Sequence, residues 1–110
     1  GNIRCLLKLA GTPYWPDMNE KILLLESLGG TAPQMTTYFS QLLQMGVLEQ
    51  INGMILGTFT KLEEEGNLEI AKLAKQYAPK GLPIVKTREI GHGEDAKGIV
   101  IGREITLERL

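Results

Sequence analysis

Lys21-Ile22-Leu23-Leu24-Leu25-Glu26-Ser27 is a short, continuous apolar run closed by a carboxylate. Such a run reads as a strand covered on both faces, as in a parallel sheet. Thr31 follows as a helix N-cap, with Pro33 in the first turn where its missing N–H would have no partner. Met35, Tyr38, Phe39, Leu42 and Leu43 then recur at helical spacing, and Gly46 ends the run in the manner of a left-handed C-cap. Ile51 to Gly57 (INGMILG) reads as a second buried strand. Asn67 can cap a helix whose Ile70, Leu73, Ala74 and Tyr77 share one face, Pro79 stops that helix, and Pro83 to Ile90 makes a third strand. The middle of the chain is therefore β-α-β-α-β, which crossover connections turn into three parallel strands.

The flanks read differently. Ile3 to Leu9 alternates with period two and predicts a strand, on which Cys5 would be a buried thiol. Ile99 to Ile101 and Arg103 to Glu108 predict further strands, two-sided and antiparallel. These segments suggest a second small sheet packed on the first, with helices on the far side, giving an α/β fold in a single domain over residues 1–110.

At 110 residues, with 43% hydrophobic and 23% charged positions, the composition is that of one globular domain. A formal charge of -1 with no Lys/Arg cluster argues against nucleic acid as a partner. Apolar runs such as Ile22 to Leu25 are far below the ~20 residues that span a bilayer, so a soluble, cytoplasmic chain with no membrane partner is expected. A single cysteine fits a reducing compartment, and one histidine with one cysteine offers no metal set, so no metal and no cofactor are expected.

In open α/β sheets, ligands bind beyond the carboxyl ends of the strands. Glu26 lies at that end of the first parallel strand and His92 just past that end of the third, so the topology puts both on one edge; a strand order of 2-1-3 would make them neighbours. A carboxylate beside an imidazole is the orienting half of a nucleophile-base-orienter relay, because it accepts the ring N–H and stabilises the imidazolium formed during reaction. Without such a pairing, Glu26 is a strand-end carboxylate in water or capping a loop, and His92 a solvated residue between two glycines. A glutamate directly after three buried leucines, however, is costly to leave alone. The serines offer no nucleophile: Ser40 is mid-helix, and Ser27 should point away from Glu26 on a strand. Tyr14 and Trp15 could wall a substrate pocket or anchor the chain against another domain, while Glu63-Glu64-Glu65 reads as a solvated loop or the start of a helix.

Taken together, Gly1-Asn2-Ile3, Gly11-Thr12-Pro13-Tyr14, Lys21 to Glu26, Gly46-Val47-Leu48, Gly53-Met54-Ile55-Leu56-Gly57 and Gly91-His92-Gly93 resemble, in order, the C-terminal domain of the LD-carboxypeptidase family, the murein tetrapeptide carboxypeptidases. The resemblance covers essentially the whole chain. It implies a three-layer swivelling β/β/α fold, with a small parallel sheet, a second antiparallel sheet and helices on one face, and a tendency to form homodimers. It also implies a Ser-Glu-His triad split between domains, with Glu26 and His92 matching the family's Glu and His and the serine carried by an N-terminal domain. Gly1 then reads as the start of a piece cut at a domain boundary, inactive alone. The implied reaction removes terminal D-alanine from cytosolic muropeptides in peptidoglycan recycling. Related microcin-immunity peptidases suggest a serine amidase as an alternative, and a non-catalytic binding domain on the same fold is a third reading. Ser27 stands where relatives often carry an acidic residue, Gln34-Met35-Thr36-Thr37 replaces an arginine-bearing helix start, and Glu94-Asp95-Ala96-Lys97 replaces Asn-x-Thr.

Overall fold

The computed structural model describes residues 1–65, 70–90, 102 and 104. Three strands, β1 (Ile22–Ser27), β2 (Gly53–Phe59) and β3 (Ile84–Lys86), form a parallel sheet in the order β1-β2-β3. Among the described residues five helices accompany it: α1 (Ile3–Leu7), α2 (Ala32–Gln44), α3 (Val47–Gln50), α4 (Thr60–Glu65) and α5 (Ile70–Tyr77). Among the described residues no helix is long and apolar enough to cross a membrane.

The buried leucine run forms β1 as expected, paired Leu23 to Met54, Leu24 to Ile55 and Leu25 to Leu56. Leu23, Leu25, Met54 and Leu56 join one core with Met35, Phe39 and Leu42 of α2 and Leu73 and Ala74 of α5. Phe39 and Tyr77 stack across that core with ring centroids 6.4 Å apart. Leu24 and Ile55 alternate with these residues onto the opposite face, which Glu26 shares.

The caps account for where α2 begins and ends. Thr31 Oγ1 accepts the Gln34 amide and Gln34 Oε1 accepts the Thr31 amide, a reciprocal capping box. Gly46, at φ +77°, takes the left-handed turn that closes α2 and begins α3. Thr31→Ala is expected to cost about 1 kcal/mol of stability, read as a lower midpoint in urea with an unchanged slope.

Four expectations are corrected. Residues 3–9 do not form a strand: Ile3–Leu7 is α1, with Ile3 and Leu7 buried one turn apart and Cys5 exposed. The alternation of Ile3, Cys5, Leu7 and Leu9 competed with the helical set Ile3, Leu6 and Leu7, and Asn2 decided the outcome by accepting the Cys5 amide at 3.1 Å as an N-cap. The third strand is three residues long rather than running to Ile90, because the Thr87 hydroxyl accepts the Glu89 amide and turns the chain out of line. Glu63-Glu64-Glu65 closes α4 instead of opening a helix or filling a loop. Strand order 2-1-3 is excluded because the far edge of β1 is occupied: Gly1 N donates to Leu24 O at 2.5 Å, Glu26 N to Gly1 O at 3.1 Å, and Asn2 bridges Glu26 in parallel. The expected strands at 99–101 and 103–108, and the Asn67 cap, fall outside the described residues apart from Glu104 and the turn residue Gly102, both exposed.

Candidate functional site

The carboxyl edge of the sheet gathers Glu26, the end of β2 and the segment leaving β3. Glu26 is half-buried at the penultimate position of β1, with its Oε2 atom shielded from solvent. Burial holds the Gly1 amino group below its ordinary range, against the opposing pull of the Glu26 carboxylate nearby. A register break lies directly opposite: between the pairs Leu25–Leu56 and Ser27–Phe59, Gly57 and Thr58 of β2 face Glu26 alone. Bulges of this kind bend a strand and re-aim side chains.

The segment after β3 returns to this point. Thr87 N donates to Leu56 O at 2.9 Å, and Thr58 N donates to Ile90 O at 2.7 Å. Lys86 Nζ, from the end of β3, donates to Gly57 O at 2.8 Å and pairs with Glu63 Oε1 at 2.7 Å. Ile90 is thereby fixed at the end of β2. His92 lies outside the described residues, two positions beyond Ile90. Lys86 carries no signal in the sequence beyond closing a short strand, and Gly57 stands there as the last residue of a buried run and of a family-like string, with no role attached.

The other expected residues are placed as follows. Ser27 is buried, and its hydroxyl donates to Gly29 O at 2.7 Å. That leaves the oxygen engaged with the backbone, on the face of β1 away from Glu26. Ser40 is half-buried within α2. Trp15 packs against the core, whereas Tyr14 is 79% exposed.

A cavity of about 340 Å³ opens between the starts of α1 and α2, lined by Asn2, Arg4, Ser27, Gln34 and Tyr38 among others. Glu26 does not line it. Ser27, which lines it, alternates with Glu26 along β1 and faces the opposite side of the sheet.

The chain matches the family model for the LD-carboxypeptidase C-terminal domain over residues 1–107. It is 32% identical over 102 residues to SCO6489 of Streptomyces coelicolor, a protein assigned as a carboxypeptidase, covering 89% of this chain and 33% of that one. Among solved structures it is similar to the muramoyltetrapeptide carboxypeptidase of Oxalobacter formigenes, with a TM-score of 0.71 and 24% identity over 87% of this chain and 35% of that one. The microcin C7 self immunity protein MccF is a further structural neighbour, with a TM-score of 0.73 and 18% identity over 82% of this chain and 28% of that one. The chain thus spans about one third of the length of these relatives. With the family match covering nearly its whole length, the chain belongs to the LD-carboxypeptidase C-terminal domain family.

Proposed function

We propose that this chain is the C-terminal part of a serine-type L,D-carboxypeptidase, contributing Glu26 and His92 to a Ser-Glu-His triad whose serine and oxyanion hole lie on an N-terminal domain. His92 takes the proton of the serine hydroxyl as that oxygen attacks the carbonyl of the scissile L,D-bond, then passes it to the departing amine of D-alanine. Water repeats the sequence to release the acyl group. Glu26 accepts the other ring N–H, which fixes the tautomer and stabilises the imidazolium. The observation that carries this reading is the half-buried Glu26 carboxylate at the carboxyl edge of β1, with Ile90, two residues short of His92, held by the Thr58 amide on the neighbouring strand. A cytoplasmic muropeptide substrate and a homodimer belong to the same proposal. So does the three-layer swivelling form of the fold, to which Ile3–Leu7 contributes a helix.

The test is release of D-alanine from a muropeptide tetrapeptide by the chain alone and by a protein joining it to its N-terminal domain. The joined protein should turn over and the isolated chain should not. Ser27→Ala in the joined protein should retain kcat within about threefold, because Ser27 is already engaged with Gly29 and is not the nucleophile. A large loss on that substitution would overturn the split-triad reading. The likeness to MccF favours one second reading, a serine amidase of the microcin-immunity type, recognised by turnover of an aminoacyl sulfamoyl nucleoside analogue's hydrolysable counterpart in place of the tetrapeptide.

A further inference from the structure

The strand order sets a geometric problem for the Glu26–His92 pair. β1 and β3 flank β2, and neighbouring strands lie about 4.8 Å apart, so the two side chains start from strands separated by twice that spacing. The chain leaving β3 must cross the end of β2 for the carboxylate and imidazole to meet.

It crosses at Gly57. A β-carbon placed there would lie 2.5 Å from the Ile90 carbonyl oxygen and 3.2 Å from Glu26 Cβ. Close C···O contacts in proteins are about 3.3 Å or longer, so any residue but glycine would force the two apart. The obstacle on one side is backbone, which cannot swing aside as a side-chain tip can. It is also pinned, since the same Ile90 carbonyl accepts the Thr58 amide and the Gly57 carbonyl accepts Lys86. Gly57 does not adopt a left-handed φ, so what glycine supplies here is space rather than conformational freedom. From Ile90 the chain needs only two residues, at most about 7 Å, to reach His92.

We infer that Gly57 is a positioning residue: its missing side chain lets the chain leaving β3 lie against Glu26 and so delivers His92 to the carboxylate. This rests on the split-triad reading. Among the described residues, the Gly1 amino group, Lys86 and Glu63 are the other charges fixed at this edge; they are the same in every variant below and serve as a constant background.

The chain has one histidine, so a single imidazole resonance can be followed by proton NMR against pH without any assay of activity. A neighbouring carboxylate favours the charged ring, so Glu26→Gln should lower the midpoint of that titration, by about one pH unit. Gly57→Ala should lower it by a similar amount with Glu26 intact, and the double variant should fall no further than either single one, since both remove the same interaction. Were Glu26→Gln to lower the midpoint and Gly57→Ala to leave it unmoved, the positioning role would be overturned with the pair intact. No effect of Glu26→Gln would overturn the pair itself and the positioning role with it. Should Gly57→Ala not fold, hydrogen exchange in the unaltered chain decides: a Thr58 amide protected like its neighbours in β2 supports the crossing, and exchange at the rate of an exposed amide overturns it.

Discussion

His92→Ala, in a protein that joins this chain to its nucleophile-bearing domain, is expected to reduce kcat by about 10⁴-fold or more with little change in KM. Removing the base of a serine triad has an effect of this size because the hydroxyl must then attack with its proton still in place. Glu26→Gln should follow with a loss on the order of 10⁴, since an amide can neither stabilise the imidazolium nor hold the productive tautomer. The double variant should be no worse than His92→Ala, because orienting a base that is absent gains nothing. Progress curves for D-alanine release measure all three. Near-normal turnover of His92→Ala would end the assignment, and near-normal turnover of Glu26→Gln would leave a base without this orienter.

Phe39→Ala is expected to produce the largest loss of stability in the described structure, about 3–5 kcal/mol. Phe39 is fully buried, shares one core with Leu25 of β1 and Leu56 of β2, and meets Tyr77 of α5 at a ring separation of 6.4 Å. Truncation removes the transfer energy of the ring, leaves a void between two helices, and breaks an aromatic pair worth about 0.5–1.5 kcal/mol by itself. Domains of this size are stable by about 5–15 kcal/mol, so the variant should sit near the edge of folding at 37 °C. Tyr77→Leu, which keeps most of the apolar volume, should cost no more than the aromatic contribution. Urea unfolding followed by circular dichroism separates the two, and equal losses would show that the ring contact rather than the packed volume holds α2 to α5.

Both predictions depend on features that differ in how far the sequence announces them. Glu26 is legible because a charged residue directly after Leu23-Leu24-Leu25 has to sit at the end of a buried strand, and the structure puts it there. The start of α2 is legible in Thr31 and its end in Gly46, since capping hydrogen bonds and a positive φ are demands that few residue types meet. Ile3 to Leu9 was ambiguous: seven residues can satisfy a two-residue and a 3.6-residue period at once, and the choice fell to a cap on Asn2. The extent of β3 was equally hidden, because a single hydroxyl–amide bond at Thr87 ends it.

What the sequence determined by itself was local and periodic: three parallel strands with helices between them, and the placement of Glu26 on the first of them. Those follow from burial and from hydrogen bonds closed within a few residues. What only the tertiary structure decided was which strands are neighbours and where the chain crosses them. The order β1-β2-β3, the edge of β1 taken by Gly1 and Asn2, and the passage of Ile90 over Gly57 are contacts between segments more than twenty residues apart. No local pattern encodes them, because each depends on the space left once the other elements have packed.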